Sequence, residues 1–271
     1  MKFDSNLAWQ QAAASVSANR ELLLALAGVF FLVPSLAVAL FLPQPEPAPG
    51  MSSEQMMEVM STYYMSVLPY VIPMAVVQAA GTLAMLTLFT DRTRPTVGQA
   101  IWGGLAGVVP YILSQLLVGL GIGLVGGVLV GIAAATGAKV LAVLAVAALL
   151  VAVIYAMIRT SLAAPVIAVE GQRNAVEVLR RSWRLTQGNA ARIGLFYLLV
   201  GVAFLIVTML VMGVVGIALA LLGGAETVRV VTAVASSAVG AVMTLYFVAV
   251  VAAVHRQLAG PSPEVASAPF E

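Results

Sequence analysis

The chain has 271 residues, no cysteine, one histidine and a formal net charge of +2, with 62% hydrophobic and only 9% charged residues. Soluble domains carry about 25% charged residues, so this chain cannot cover a water-facing surface, and a mean hydropathy of +1.06 makes lipid its solvent. The numbers exclude a soluble enzyme, a nucleic-acid-binding domain and a disordered tail; the missing cysteines and the lone histidine exclude disulfides, thiolate metal sites and paired-histidine metal sites.

A membrane helix needs about 20 apolar residues, because the hydrocarbon core is about 30 Å thick. Charge-free runs place spans near residues 22–42, 69–90, 110–135, 140–158, 193–222 and 230–254. The runs are too long for strands and lack period-two alternation. The expected fold is therefore all-α and polytopic: six transmembrane helices in three hairpins, forming one integral membrane domain over 1–271. The first apolar run exceeds the usual length of a secretion signal, and its charged region lies far upstream, so the first helix is read as retained.

The run between Arg94 and Lys139 has room for one span or two, and the distribution of Lys and Arg decides between them. With one span, Lys2, Arg20, Arg92, Arg94, Arg159, Arg173, Arg180, Arg181, Arg184, Arg192 and Arg256 share one side. Only Lys139 and Arg229 lie on the other. Two spans would move Arg159 to Arg192 across and destroy the bias. The expected location is a bacterial inner membrane with both termini cytoplasmic. The surplus from Thr96 to Val109 is expected to lie along the interface before the chain dives at Pro110.

Each outward span has a similar prelude, and the three Trp of the chain (Trp9, Trp102, Trp183) all sit in these preludes. Asp4 or Ser5, Thr96 and Asn174 are capping residues, and Gln99 and Glu177 stand at capping-box spacing. The pattern reads as three units of interfacial amphipathic helix, outward span and return span. Trp suits the headgroup layer because its ring is apolar while its N–H seeks a partner.

Four features carry the functional expectations. On a helix from Asn174, Val176, Leu179 and Trp183 form an apolar stripe, with Arg180, Arg181 and Arg184 opposite. With Arg173 and Arg192 these arginines suit anionic headgroups or a protein partner at the cytoplasmic face. Gly119, Gly123, Gly127 and Gly131 form an i+4 ladder, a glycine zipper expected to pack another helix of the same chain or otherwise a second protomer, with a matching small face at Ala233, Ser237 and Ala241. Gln78 and Gln115 are expected to bond across the second and third spans. Met51, Met56, Met57, Met60 and Met65 read as an amphipathic face covering the bundle; no metal or other cofactor is expected. His255, beside Arg256, reads as an interface residue at the end of the last span, and with no nucleophile pattern near it the chain is not expected to be an enzyme.

The string Ala164-Pro165-Val166-Ile167-Ala168-Val169-Glu170-Gly171, continued by Ala175 and Leu179-Arg180-Arg181-Ser182-Trp183-Arg184-Leu185-Thr186-Gln187-Gly188, resembles a stretch of the bacterial glycerophosphoryl diester phosphodiesterase membrane-domain family and related inner-membrane proteins. Phe3-Asp4, Trp9 and Leu22 to Gly28 are similar as well. The resemblance implies a six-helix membrane domain without the catalytic barrel to which it is fused in some members. The resemblance carries no activity; the basic helix and the missing catalytic set leave two readings, a non-catalytic scaffold or lipid-handling accessory, or a transporter or lipid-translocating protein with a groove between hairpins.

Overall fold

The computed structural model describes residues 2–42, 45, 50–90, 96–222 and 224–260. Among the described residues ten α-helices follow one another: α1 Ser5–Ala18, α2 Arg20–Ala27, α3 Val33–Phe41, α4 Ser53–Thr90, α5 Val97–Ala135, α6 Lys139–Thr160, α7 Ala163–Glu170, α8 Ala175–Leu185, α9 Ala190–Leu222 and α10 Ala225–Ala259. A π-helical segment, Gly28–Leu32, joins α2 to α3. It lies just before Pro34, and the Val33 N–H bonds to the Gly28 carbonyl five residues back. The wider turn moves backbone out of the way of the proline ring, which clashes with the i−4 carbonyl of a regular helix.

Six helical stretches are long and apolar enough to cross a membrane: Arg20–Phe41, Ser53–Phe89, Val97–Ala135, Lys139–Glu170, Ala190–Leu221 and Ala225–Ala259. The chain is an all-α polytopic membrane protein. The caps expected at Asp4, Thr96 and Asn174 form, but the box expected between Asn174 and Glu177 does not: the Asn174 N–H donates to Gln172 Oε1 and Glu177 pairs with Arg180. Asp4 Oδ1 accepts from the Leu7 N–H at 3.0 Å, Thr96 and Gln99 close a full capping box, and Asn174 Oδ1 accepts from Val176 and Glu177. Ser52 and Gln55 exchange the same reciprocal pair of bonds before α4.

The core is built around the last helix. Every residue of α10 from Val248 to His255 is buried, so this stretch is apolar all round and enclosed on all sides. Helix α10 as a whole packs on α1, α2, the π segment, α3, α4 and α9. Ala8, Ala12 and Val16 form the buried stripe of α1, and their small size lets α1 lie close against α10. In α6 the relation inverts: Arg159 is the one buried residue of the helix, while most of its Val and Leu side chains face outward. Lipid is as apolar as leucine, so an outward Leu costs nothing there, whereas an outward Arg would.

Four expectations are corrected here. The stretch 96–109 does not form a separate interfacial helix; it runs straight into the span through Pro110, as one 39-residue helix. At about 1.5 Å per residue that is about 58 Å, well beyond the hydrocarbon core. Ala100, Gly104, Gly107 and Val108 are buried along it, and a Cβ at Gly104 would sit 2.7 Å from the Ala80 carbonyl oxygen and 2.9 Å from the Ala84 nitrogen. These small residues let the stretch pack backbone to backbone on α4 rather than lie flat. The second correction concerns the glycine ladder. A Cβ at Gly119, Gly123, Gly127 or Gly131 would meet nothing within 4 Å, whereas one at Gly126 would meet Leu149 of α6. Within this chain the ladder faces outward; α5 packs on α4, α6, α7 and α8. The small face Ala233, Ser237, Ala241 is buried, but its neighbours are those of α10 given above. Gln115 bonds to Tyr111 one turn back on its own helix rather than across to Gln78. Met56, Met57 and Met65 are exposed on the first turns of α4 rather than laid over the bundle.

Candidate functional site

The basic residues collect at one end of the bundle, where the ends of α4, α6 and α10 meet α1, α7, α8 and the start of α9. Arg92 and Arg94 lie outside the described residues. At this end α8 is docked by one stripe: Val178, Ser182 and Thr186 are fully buried. Helix ends leave their last carbonyls without partners, and α8 supplies one. Ser182 Oγ donates to the Arg159 carbonyl at 2.8 Å and accepts from the Leu162 N–H at 3.2 Å. One hydroxyl thus joins the end of α6, the turn that follows it and α8.

The Arg159 guanidinium lies 4.4 Å from the Trp183 ring centroid and 5.7 Å from that of Tyr155, and the two rings meet edge to face at 5.7 Å. Arg159 is 4% exposed, and its Nε is buried without a hydrogen-bond partner. Cation–π attraction on this scale is about 0.5–2 kcal/mol and replaces an ion pair, since Arg159 has no carboxylate partner among the described residues.

Glu170 is the hub of the charged contacts. It ends α7, immediately before Gly171, whose φ of +68° turns the chain toward α8. Its Oε1 lies 3.0 Å from His255 Nε2, and its Oε2 accepts from Arg181 Nε at 2.8 Å. A carboxylate can only accept, so Nε2 carries the proton in this contact. His255 is 2% exposed. The reading of His255 as an interface residue is therefore corrected: it is a core residue whose polar edge is satisfied from 85 positions away.

The N-terminal segment is laced to the same end. Phe3 N–H donates to Asn189 Oδ1, and Asp4 and Gln257 exchange two bonds of 3.1 Å. Arg256 donates to the Phe89 carbonyl at the end of α4 and to Ser15 Oγ of α1, a cation at a helix C-terminus, where the dipole favours it.

Of the residues expected to meet headgroups or a partner, the structure divides the set. Arg181 turns inward to Glu170. Arg173 reaches α5, where its Nη1 would lie 3.0 Å from a Cβ at Gly107. Trp183 covers Arg159 with one face yet stays 42% exposed. Arg180, paired only with Glu177 on the surface at 3.0 Å, is exposed together with Arg184 and Arg192. Glu170, Ser182 and the buried role of Arg159 were missed in the sequence; a lone carboxylate ending an apolar run, and a serine four residues from Val178, were the available signals. Among the described residues no cluster of three or more His, Cys, Asp or Glu could hold a metal ion. Comparisons with family models, curated proteins and solved structures return no match.

Proposed function

We propose that this membrane protein is a non-catalytic scaffold or lipid-handling accessory of a bacterial inner membrane, with both termini cytoplasmic and α8 against anionic headgroups or a partner bound there. One observation carries the reading. The face of α8 formed by Val178, Ser182 and Thr186 is locked into the core, which leaves Arg180, Arg184 and Arg192 exposed beside Val176 and Trp183. A fixed helix that presents cations next to an exposed indole suits the headgroup layer, at about 1 kcal/mol per cation near the surface. The non-catalytic part rests on His255. A general base must reach a substrate proton, and this imidazole is enclosed by the protein. The resemblance of 164–189 to the glycerophosphoryl diester phosphodiesterase membrane domain belongs to the same proposal. A translocation route would call for a groove between hairpins; an apolar recess of about 440 Å³ lined by Pro34, Phe41, Tyr70 and Met74 lies within the first hairpin. The test replaces Arg180, Arg184 and Arg192 together with Gln and measures lipids retained by native mass spectrometry from native membranes. Loss of phosphatidylglycerol and cardiolipin supports the proposal; wild-type retention rejects the lipid role.

A further inference from the structure

A second recess, of about 340 Å³, opens at the basic end between α1 and α10 and is lined by Gln11, Ala14, Ser15, Arg256 and Gln257. Its volume falls within the range of about 300–1,000 Å³ common for small-molecule sites. The lining is chemically one-sided: a guanidinium, a hydroxyl and two amides, with no carboxylate. Arg256 is more than half enclosed and has no ion-pair partner among the described residues. Its two terminal nitrogens bond only to neutral oxygens, those of Phe89 and Ser15. Two further polar atoms of the lining residues, Arg256 Nε and Gln11 Oε1, are buried with no hydrogen-bond partner among the described residues. Buried polar groups are almost always satisfied, and unsatisfied ones call for a missing ligand, ion or water. A half-buried cation without a counter-charge calls for an anion.

We propose that this recess binds a phosphate group, with Arg256 as its counter-charge and the amides of Gln11 and Gln257 as neutral donors around it, while Ser15, whose O–H donates to the Gln11 carbonyl, holds the guanidinium in place. A guanidinium flanked by neutral donors matches the several acceptor oxygens of a phosphate monoester or diester. The phosphate is either that of a phospholipid headgroup or that of a soluble compound. The site is separate from the outer face of α8 and stands whether or not that face meets lipid.

The experiment uses the detergent-purified full chain. Its melting temperature is titrated in parallel with dihexanoyl phosphatidylglycerol, dihexanoyl phosphatidylcholine and inorganic phosphate, the last against chloride at equal ionic strength. Saturable stabilisation by a phospholipid assigns a headgroup, and saturable stabilisation by inorganic phosphate assigns a soluble ligand. In either case Arg256→Gln and Gln11→Leu must weaken the apparent affinity by about tenfold or more, the scale of one hydrogen bond to a charged group. Gln11→Leu removes an unsatisfied buried oxygen without changing charge, so the ligand-free protein should melt no lower than wild type; this variant carries the test if Arg256→Gln does not fold. The Arg180, Arg184, Arg192 triple variant should keep wild-type affinity here. Absence of saturable stabilisation by all three compounds overturns the proposal, and so does undiminished stabilisation of Gln11→Leu.

Discussion

Removing the Glu170 carboxylate should loosen the basic end of the bundle mainly through His255, and much less through Arg181. The two contacts are of similar length, 3.0 and 2.8 Å, but differ in environment: the His255 side chain is 3% exposed, that of Arg181 36% and that of Glu170 26%. Water screens the Arg181 pair, which places it with surface ion pairs at about 0.2–1 kcal/mol. The imidazole has no such recourse. Stranding its Nε2–H in the core costs about 1–3 kcal/mol. Interhelical polar contacts in membrane proteins are worth about 0.6 kcal/mol on average in double-mutant cycles, and up to about 1.7 kcal/mol. Glu170→Ala should therefore cost about 1–4 kcal/mol, Arg181→Ala less than about 1 kcal/mol, and the His255–Glu170 coupling should lie near 0.6–1.7 kcal/mol, about the range of such contacts. Reversible unfolding in mixed SDS micelles, followed by helicity, measures all four corners of the His255→Ala, Glu170→Ala cycle. A coupling indistinguishable from zero would refute the hub role of Glu170, as would an Arg181→Ala variant as destabilised as Glu170→Ala.

Two more outcomes follow from the packing and the charge distribution. Gly104→Ala, whose new methyl meets α4 backbone, should cost about 1–3 kcal/mol, whereas Gly123→Leu and Gly127→Leu should leave the monomer's melting temperature unchanged; a wild-type melting temperature for Gly104→Ala would show that α4 and α5 are not held this closely. Reporter tags after Pro49 and after Gly223 should read periplasmic, and tags between Gln187 and Gly188 and at the C-terminus cytoplasmic; the exposed 187–188 site avoids Asn189, which holds Phe3. A cytoplasmic signal after Pro49 would overturn the assigned orientation.

What could be read from the chain alone is what depends on composition and short-range order. Charge-free runs of sufficient length have only one way to satisfy their backbone in lipid, so the number of crossing helices and their order along the chain follow directly. Asp4, Thr96 and Asn174 cap because the required donors lie within three residues of each, and the Lys/Arg count chose one span between Arg94 and Lys139. Which face each helix turns inward was decided only by tertiary structure. In water an apolar stripe marks the buried side, but here core and lipid are equally apolar, so Gly126 and Gly123 look alike in sequence although one meets Leu149 and the other meets nothing in the chain. The same degeneracy hid the packing of 96–109 on α4, where Gly104 tolerates backbone contact. The polar contacts were hidden for a different reason. Glu170 and His255 are 85 residues apart, and no local pattern announces that a turn at Gly171 and the end of α10 bring them within 3.0 Å. The burial of Arg159 under Trp183 likewise exists only once Ser182 has tied α8 to the end of α6.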